Sequence, residues 1–186
     1  MNAPRAGMAH GVTRCYHRIM TSPIPLLATL LAAVALTACS PRLDWRDYRG
    51  SQAPYAVLFP GKPATHTRQV DLGGQAAAMT MTATDIEGTV FAVGSVELAD
   101  ADHAQLAVQA MKTAMVRNIG AIQPAESTRD GAFEIEAHGA RGSERVTLRG
   151  RFLARGKRAY QVIVVGPDNA VSREDADTFL RSFKVH

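Results

Sequence analysis

The spacing of hydrophobic and polar residues changes several times between residues 55 and 186. Residues 79–84 (MTMTAT) alternate strictly, with methionine or alanine at one position and threonine at the next, which is the period of a β-strand. Other short apolar or alternating runs between turn-forming residues predict further strands. The predicted strands are Tyr55–Phe59, Arg68–Leu72, Met79–Thr84, Thr89–Glu97, Ala132–His138, Arg145–Ala154 and Arg158–Val165.

Two segments follow the period of an α-helix instead. In residues 103–118, one helical stripe consists of Ala104, Ala107, Met111, Ala114, Met115 and Asn118. Asp102 and Gln105 have the spacing of a capping box at the start of this helix, and Gly120 is placed to end it. Ser172 is predicted to cap a second, short helix. The stripe of this second helix consists of Ala176, Phe179, Leu180 and Phe183.

The faces of the last three strands predict how the sheet is covered. In residues 158–165, most positions on both faces are apolar, which is typical of a strand that is covered on both sides. In the strand before it, Val146, Leu148 and Phe152 are predicted to face the core. The opposite face is predicted to point outward and carries Arg145, Arg149, Arg151 and Arg155. We therefore expect an α/β domain of the α+β type, with a central antiparallel sheet and helices packed on its faces.

The first 38 residues differ in composition from the rest of the chain. They contain Arg5, Arg14 and Arg18 but no aspartate or glutamate. Residues 23–38 (PIPLLATLLAAVALTA) then form an uncharged run that is rich in leucine and alanine. A basic region followed by a short apolar run is the pattern of a secretory signal peptide, and this run is shorter than the roughly 20 residues that a membrane-spanning helix needs.

The tetrapeptide Leu36-Thr37-Ala38-Cys39 resembles the lipobox of bacterial lipoproteins, in which small residues precede an obligatory cysteine. The resemblance implies that the sulfur of Cys39 first receives a diacylglycerol and that cleavage before Cys39 follows. The freed amine of Cys39 then receives an acyl group such as palmitate. Two lipid chains are enough to anchor a protein stably to a membrane. Ser40, in place of an aspartate, favours the bacterial outer membrane, with the domain facing the periplasm. An ordinary secreted protein with a chance cysteine at this position is the alternative.

This interpretation divides the chain into three parts. Residues 1–38 are the signal peptide, residues 39–54 are the lipidated N-terminus and a polar tether, and residues 55–186 are a single domain. Within the tether, Trp45 and Tyr48 either lie at the lipid interface or dock onto the domain. Of the 186 residues, 148 remain after the signal peptide, which is a usual size for one domain.

The charge of the mature chain differs from that of the precursor. The whole chain has 21 lysines and arginines against 17 aspartates and glutamates, and three of the basic residues belong to the leader, so the mature part has a net charge of +1. Such a balance gives no reason to expect a nucleic-acid partner. Cys15 is removed with the leader and Cys39 is acylated, which leaves no thiol for a disulfide or a cysteine-ligated metal.

Several segments of the mature chain resemble the PsbP-like family. They are the start Tyr55–Pro63 (YAVLFPGKP), a helix after two hairpins, the strand Arg158–Gly166 (RAYQVIVVG) and the ending Phe179–Val185 (FLRSFKV). The family includes photosystem-associated PsbP proteins, a Ran-binding nuclear import factor and small envelope lipoproteins of the DcrB type. The resemblance implies an α/β/α sandwich and an accessory or binding role, and it implies no catalytic residue.

The mature sequence contains no recognisable catalytic or metal-binding motif. It lacks the Gly-x-Ser-x-Gly pattern of a serine nucleophile, and Ser143 lies in a predicted turn. The histidines are far apart in sequence, at His66, His103, His138 and His186. We therefore predict no enzyme activity, no cofactor and no metal site. Met111 and Met115 are predicted to fill the core.

The candidate binding surface is a run of basic residues: Arg141, Arg145, Arg149, Arg151, Arg155, Lys157 and Arg158. The four of these that share one strand face, Arg145, Arg149, Arg151 and Arg155, form a patch that can bind an anionic partner, such as a phosphate of lipopolysaccharide or an acidic protein surface. The other interpretation is a solvated face that the neighbouring glutamates partly neutralise. Glu134 lies opposite Arg149 if the hairpin turns over residues 139–144.

Two functions are compatible with these features. The first is that of a non-catalytic, membrane-anchored periplasmic domain that serves as a binding or accessory domain for a protein or an envelope component. The alternative is a carrier or sensor for a small ligand, with an apolar cavity beside the sheet. Small side chains that leave room for such a cavity are Ala76–Ala78, Ala107, Ala110 and Ala114.

Overall fold

The computed structural model describes residues 42–170 and 172–186. The predicted signal peptide and the predicted lipidation site Cys39 lie outside the described residues. In chain order, the elements are β1 (Arg46–Arg49), β2 (Tyr55–Phe59), β3 (Ala64–Asp71), β4 (Ala76–Ile86), β5 (Thr89–Glu97), α1 (Ala101–Asn118), β6 (Ala125–Arg129), β7 (Ala132–Arg141), β8 (Glu144–Arg155), β9 (Arg158–Pro167), α2 (Arg173–Ser182) and β10 (Lys184–Val185).

The strands form two antiparallel sheets. The large sheet has seven strands in the order β3-β4-β5-β9-β8-β7-β6, and the small sheet has three in the order β1-β2-β10. Strands account for 53% of the described residues and helices for 19%. The predicted mixed fold with a large antiparallel sheet and two helices is therefore confirmed, and the domain is dominated by its sheets.

Strand β9 lies in the middle of the large sheet, between β5 and β8. Its side chains alternate between two separate hydrophobic cores, because successive residues of a strand point to opposite faces. Ala159 and Ile163 belong to the first core, and Tyr160, Val162 and Val164 belong to the second. The prediction that this strand is covered on both faces is confirmed.

The first core lies between α1 and one face of the large sheet. Leu148 and Phe152 of β8 belong to it and are fully buried, as predicted for this face of the strand. The buried residues of α1 are Ala104, Ala107, Val108 and Met111. Small residues predominate on this side of the helix, so its axis can approach the sheet closely.

The end of α1 is fixed against β7. The backbone N–H of Ala140 donates to the carbonyl oxygen of Ile119 over 2.7 Å. A Cβ atom on Gly139 would lie 1.9 Å from the same carbonyl oxygen. Glycine is therefore required at this position, because any side chain would collide with the backbone at the end of the helix.

The second core lies between the other face of the large sheet and a layer formed by α2 and the small sheet. Phe179 of α2 is fully buried, and its ring centroid lies 5.2 Å from that of Phe59 and 5.5 Å from that of Phe91. Tyr55 of β2 belongs to the same core, where burial raises its pKa to about 12. The two cores cover both faces of the large sheet at its central strands, whereas the edge strands β3 and β6 are exposed.

Residues 42–54 differ from the polar tether that their sequence predicted. Strand β1 pairs with β2, with Tyr48 opposite Val57. The ring of Tyr48 lies 5.5 Å from that of Phe59, and the ring of Trp45 lies 6.4 Å from that of Phe91, both edge to face. Of the two positions expected for these aromatic residues, docking onto the domain is the one observed. Composition favoured a tether because most residues of the segment are polar or small.

The N-terminus of α1 lies two residues before its predicted position. Asp100, not Asp102, is the capping residue, and its carboxylate accepts a hydrogen bond of 2.9 Å from the backbone N–H of His103. The expected capping chemistry is present, but an earlier aspartate supplies it. In α2 the predicted cap is confirmed, because the hydroxyl of Ser172 accepts from the backbone N–H of Asp175.

The hairpin between β7 and β8 has a shorter connection than expected. Arg141 pairs with Glu144, so only two residues form the turn. The register consequently places Glu134 opposite Arg151, and the expected pairing of Glu134 with Arg149 is wrong. Gly142 makes the tight turn possible, because its φ of 65° lies in the left-handed region that glycine adopts at little cost.

Candidate functional site

A polar cleft of about 300 Å³ lies between α2 and strands β6, β7 and β8. Its arginines come from three elements: β6, β8 and α2. We define the arginine cleft by the residues Arg129, Arg149, Arg151, Arg173 and Arg181 together with the acidic residues Glu134, Glu136 and Asp177.

Strand β8 supplies the floor of the arginine cleft. Arg149 and Arg151 are two residues apart and therefore point to the same face, the one on which α2 packs. The side chain of Arg149 is only 8% exposed and that of Arg151 is 14% exposed. The prediction that these two arginines point into solvent is wrong, because α2 covers the middle of this face.

Arg149 is held by carboxylates from two directions. Its Nη2 donates to Oε1 of Glu136 on β7 over 2.9 Å, and its Nη1 lies 3.7 Å from Oδ1 of Asp177 on α2. Arg173 reaches the same oxygen of Glu136 over 3.1 Å. A buried guanidinium needs such partners, because an isolated charge in the protein interior is costly. The network joins α2 to the sheet.

Arg151 makes a different set of contacts. Its Nη1 donates to the backbone carbonyl oxygen of Leu180 over 3.1 Å, close to the C-terminal end of α2. A cation is favourable there because the last carbonyl groups of a helix carry partial negative charge. Its Nε lies 3.3 Å from Oε1 of Glu134. Arg151 therefore ties the end of α2 to β7 and β8.

The rim of the arginine cleft carries the exposed cations. The side chains of Arg129, Arg173 and Arg181 lie at the surface and contact Glu134, Glu136 and Asp177, respectively. The residues that line the cleft include five arginines and four carboxylates, an excess of one positive charge. Glu126 also borders the cleft, but its carboxylate is paired with Lys112 at 2.7 Å. The local charge is suited to an anionic group of a ligand or a partner.

The four arginines predicted as one patch do not form a single site. Arg145 lies near one end of β8, where its side chain is 83% exposed and pairs with Asp168 at 3.4 Å. Arg155 lies at the other end and donates to the carbonyl oxygen of Asp130. Arg145 and Arg155 are ten residues apart, which corresponds to about 33 Å at about 3.3 Å per residue. Only Arg149 and Arg151 enter the cleft.

Sequence reasoning missed the arginines that the other elements contribute. Arg173, Asp177 and Arg181 are spaced by four residues on α2 and therefore lie on one side of the helix. This polar stripe beside the apolar one was a signal that could have been read from the sequence. Arg129 on β6 carried no such signal, because the strand itself was expected to be a loop.

A second polar cluster connects β7, β8 and the segment after β9. The hydroxyl of Thr147 donates to Oδ1 of Asp168 and accepts from Nδ1 of His138 over 3.0 Å. The Thr147 hydroxyl, with His138 and Arg145, holds the pKa of Asp168 below its usual value. Since Thr147 is buried and already engaged on both sides, we interpret the cluster as a structural connection.

The other histidines lie apart from this cluster. His66 and His186 are exposed, and His103 contacts Asp100 at the start of α1 with 2.7 Å between Nδ1 and Oδ1. Within residues 42–170 and 172–186, no group of three or more histidine, cysteine, aspartate or glutamate side chains is arranged to hold a metal ion.

The alanines expected around an apolar cavity lie elsewhere. Ala107 is fully buried in the first core, whereas Ala76 and Ala78 are exposed on β4. A second cleft, of about 350 Å³, borders the C-terminal part of α1 and the start of β6. Neither this cleft nor the arginine cleft is lined by any of the alanines that the carrier hypothesis requires.

Comparison with known proteins adds no relative. The chain matches no protein-family model, and no curated protein matches it in sequence. In the part of the chain that the structure describes, no helix is long and apolar enough to span a bilayer. Function is therefore inferred from the leader sequence and from the geometry of the arginine cleft.

Proposed function

We propose that the chain is the precursor of a bacterial envelope lipoprotein whose periplasmic domain binds a protein or an envelope component without catalysis. The leader supports the anchor, because a basic segment, an apolar run and the sequence Leu36-Thr37-Ala38-Cys39 follow one another without interruption. Lipids on Cys39 would hold the mature protein to the membrane, and Ser40 favours the outer membrane.

We also propose membership of the PsbP-like family. The order of layers supports it, since α1 lies on one face of the large antiparallel sheet and α2 lies on the other. The family resemblance implies an α/β/α sandwich, and we propose that this domain is a sheet-dominated variant of it, with the small sheet beside α2. Because one fold serves many functions, the family alone does not identify a ligand.

The arginine cleft is the observation that carries the binding proposal. It combines a rigid floor, in which Arg149 and Arg151 are fixed by ion pairs, with exposed cations at the rim. Arg173 and Arg181 stand two helical turns apart on α2, so a partner with more than one anionic group can contact both ends of the cleft. The partner is expected to present phosphate or carboxylate groups, and the cleft offers nothing specific to a nucleic acid.

The anchor is tested by intact mass spectrometry of the protein expressed in bacteria and extracted from membranes. We expect a chain that begins at Cys39 and is heavier by a diacylglycerol and one acyl chain. The variant Cys39→Ala should lack this added mass and should retain residues 1–38, because cleavage before position 39 requires the lipid. A native protein that is soluble and carries no lipid would contradict the anchor and favour an ordinary secreted protein.

The cleft is tested by reversing the charge of its rim. Arg173→Glu combined with Arg181→Glu should reduce capture of the partner from envelope extracts by 10-fold or more, because roughly 1.4 kcal/mol of lost binding free energy corresponds to a factor of ten. Both side chains are exposed, so the folded domain should tolerate the change, which circular dichroism can verify.

A matched control separates a local effect from a change of net charge. Arg46→Glu combined with Arg68→Glu makes the same charge change at exposed positions of β1 and β3, outside the cleft. This control should retain capture. Equal losses in both double variants would indicate non-specific electrostatic attraction instead of a site.

A further inference from the structure

The first described residues of the chain are fixed to one end of the large sheet. Nε of Arg42 lies 3.0 Å from Oε2 of Glu87, in the turn between β4 and β5. The backbone N–H of Asp44 donates to the carbonyl oxygen of Pro60 over 3.0 Å. The folded domain therefore begins at residue 42, without a free tether after it.

Several connections lie at this same end of the sheet. Residues 60–63 lead into β3, residues 87–88 join β4 to β5, residues 142–143 join β7 to β8, and residues 168–170 follow β9. The strand register places them together, since Val90 pairs with Val165 and Val146 pairs with Pro167. We call this set of connections the proximal end.

The chain length between the anchor and the domain limits their separation. Only Ser40 and Pro41 stand between Cys39 and Arg42. Because an extended chain spans at most about 3.6 Å per residue, Arg42 cannot lie more than about 11 Å from an anchored Cys39. A layer of lipid headgroups is itself about 5–8 Å thick. A domain attached in this way has no room to rotate freely above the bilayer.

From these observations we propose that the proximal end is a membrane-contacting surface whose partner is the phospholipid headgroup layer. This inference rests on the proposed lipidation of Cys39. The proximal end would lie on the bilayer, and the connections at the other end of the sheet would point away from it. Since a strand rises about 3.3 Å per residue, the nine residues of β5 separate the two ends by about 27 Å.

The side chains of the proximal end suit a headgroup layer. Lys62 and Arg141 are exposed there and can contact lipid phosphates. Ile122 is 91% exposed and follows the end of α1, which is bonded to β7 near this end. Isolated apolar residues beside basic ones are favourable at a lipid interface.

The lipid, not the charge, determines this orientation. Glu87 and Asp168 pair with Arg42 and Arg145 at the proximal end, so the acidic residues there offset much of the basic charge. We therefore expect the domain without its lipid to bind anionic vesicles weakly. The arginine cleft would lie about 13–20 Å beyond Arg145 along β8, at about 3.3 Å per residue, so a partner in the cleft would be close to the same membrane.

Two labelled variants test the orientation in the full mature lipoprotein. Because the mature chain has no thiol other than that of Cys39, Lys62→Cys and Ala99→Cys each introduce one labelling site. Both positions are exposed, the first at the proximal end and the second after β5 at the opposite end. Each variant carries a fluorescent dye on the introduced cysteine and is placed in vesicles of phosphatidylethanolamine and phosphatidylglycerol. Some of the lipid headgroups carry a spin label, which quenches a dye that lies near the membrane surface. We expect several-fold stronger quenching at position 62 than at position 99.

A lengthened variant provides the control. About 20 glycine and serine residues inserted between Ser40 and Pro41 span roughly 25 Å on average, so the difference in quenching should be lost while the lipid remains. Intact mass spectrometry shows whether each variant carries the lipid, and this separates a failure of the orientation from a failure of the anchor. Equal quenching at both positions in a lipidated protein, or quenching that the insertion does not change, would overturn the orientation alone. A chain without the lipid mass would overturn both the orientation and the anchor.

Discussion

Replacing Phe179 with alanine is expected to lower the free energy of unfolding by about 3–5 kcal/mol. Phe179 is fully buried at the centre of the second core, where it contacts Phe59 from the small sheet and Phe91 from the large sheet. Its removal leaves a cavity that the two neighbouring rings cannot fill without moving their strands. Urea denaturation of the soluble domain, followed by circular dichroism, measures the change.

Thr178→Ala is the matched control for this prediction. Thr178 precedes Phe179 on α2 but is exposed, so its replacement should change the free energy of unfolding by less than about 0.5 kcal/mol. If Phe179→Ala lowers the free energy of unfolding no more than Thr178→Ala does, α2 does not cover the second core in solution. The layer order that supports the proposed family would then be incorrect.

The second large effect is expected for Arg149→Met. The change removes the cation between Glu136 and Asp177 and should lower the free energy of unfolding by about 2–3 kcal/mol. This loss is smaller than the roughly 3–5 kcal/mol typical of a fully buried pair, because Glu136 is 29% exposed and keeps its contact with Arg173. Denaturation at neutral pH gives the value.

A second substitution isolates the ion pair from the packing of the arginine side chain. Adding Glu136→Gln to Arg149→Met removes the carboxylate that has lost its partner, so the double variant should be more stable than the sum of the single effects predicts. Arg155→Met, at the exposed end of the same strand, should have little effect. Strict additivity would show that Arg149 and Glu136 do not interact in the folded protein.

The rim and the floor of the arginine cleft require different experiments, because the floor also stabilises the fold. Arg149 and Arg151 hold α2 to the sheet, so a loss of binding after their replacement would also report a loss of stability. Arg173 and Arg181 are exposed and can be changed with little structural cost. Binding is therefore best tested at the rim, and stability at the floor.

Several elements could be predicted from the sequence because short-range patterns determine them. Strand β5 has its predicted bounds, since turn residues stand on both sides of an apolar run. Helix α2 has its predicted cap at Ser172 and its predicted buried side, because the cap and the apolar stripe both depend on residues within a few positions. The two-sided burial of β9 could be predicted for the same reason: its composition is apolar at both odd and even positions.

Other elements have no such local signal. Strands β1 and β6 are edge strands made mostly of polar residues, and they form because a neighbouring strand supplies hydrogen-bonding partners. Neither carries the hydrophobic alternation by which a strand is recognised, so neither is predicted as a strand. The prediction of a tether over residues 42–54 is incorrect for this reason, apart from the docking of Trp45 and Tyr48.

The sequence by itself determined most strand and helix positions and which face of β8 is apolar, because each depends on residues that are close in the chain. The tertiary structure alone determined whether the arginines on the opposite face of β8 are buried and which carboxylates they contact. Helix α2 packs on that face and buries Arg149 and Arg151. The two-residue hairpin turn sets the register between β7 and β8 and so determines which glutamate lies opposite each arginine. Burial and partner choice depend on residues far apart in sequence, so the arginine cleft could be found only once the chain was folded.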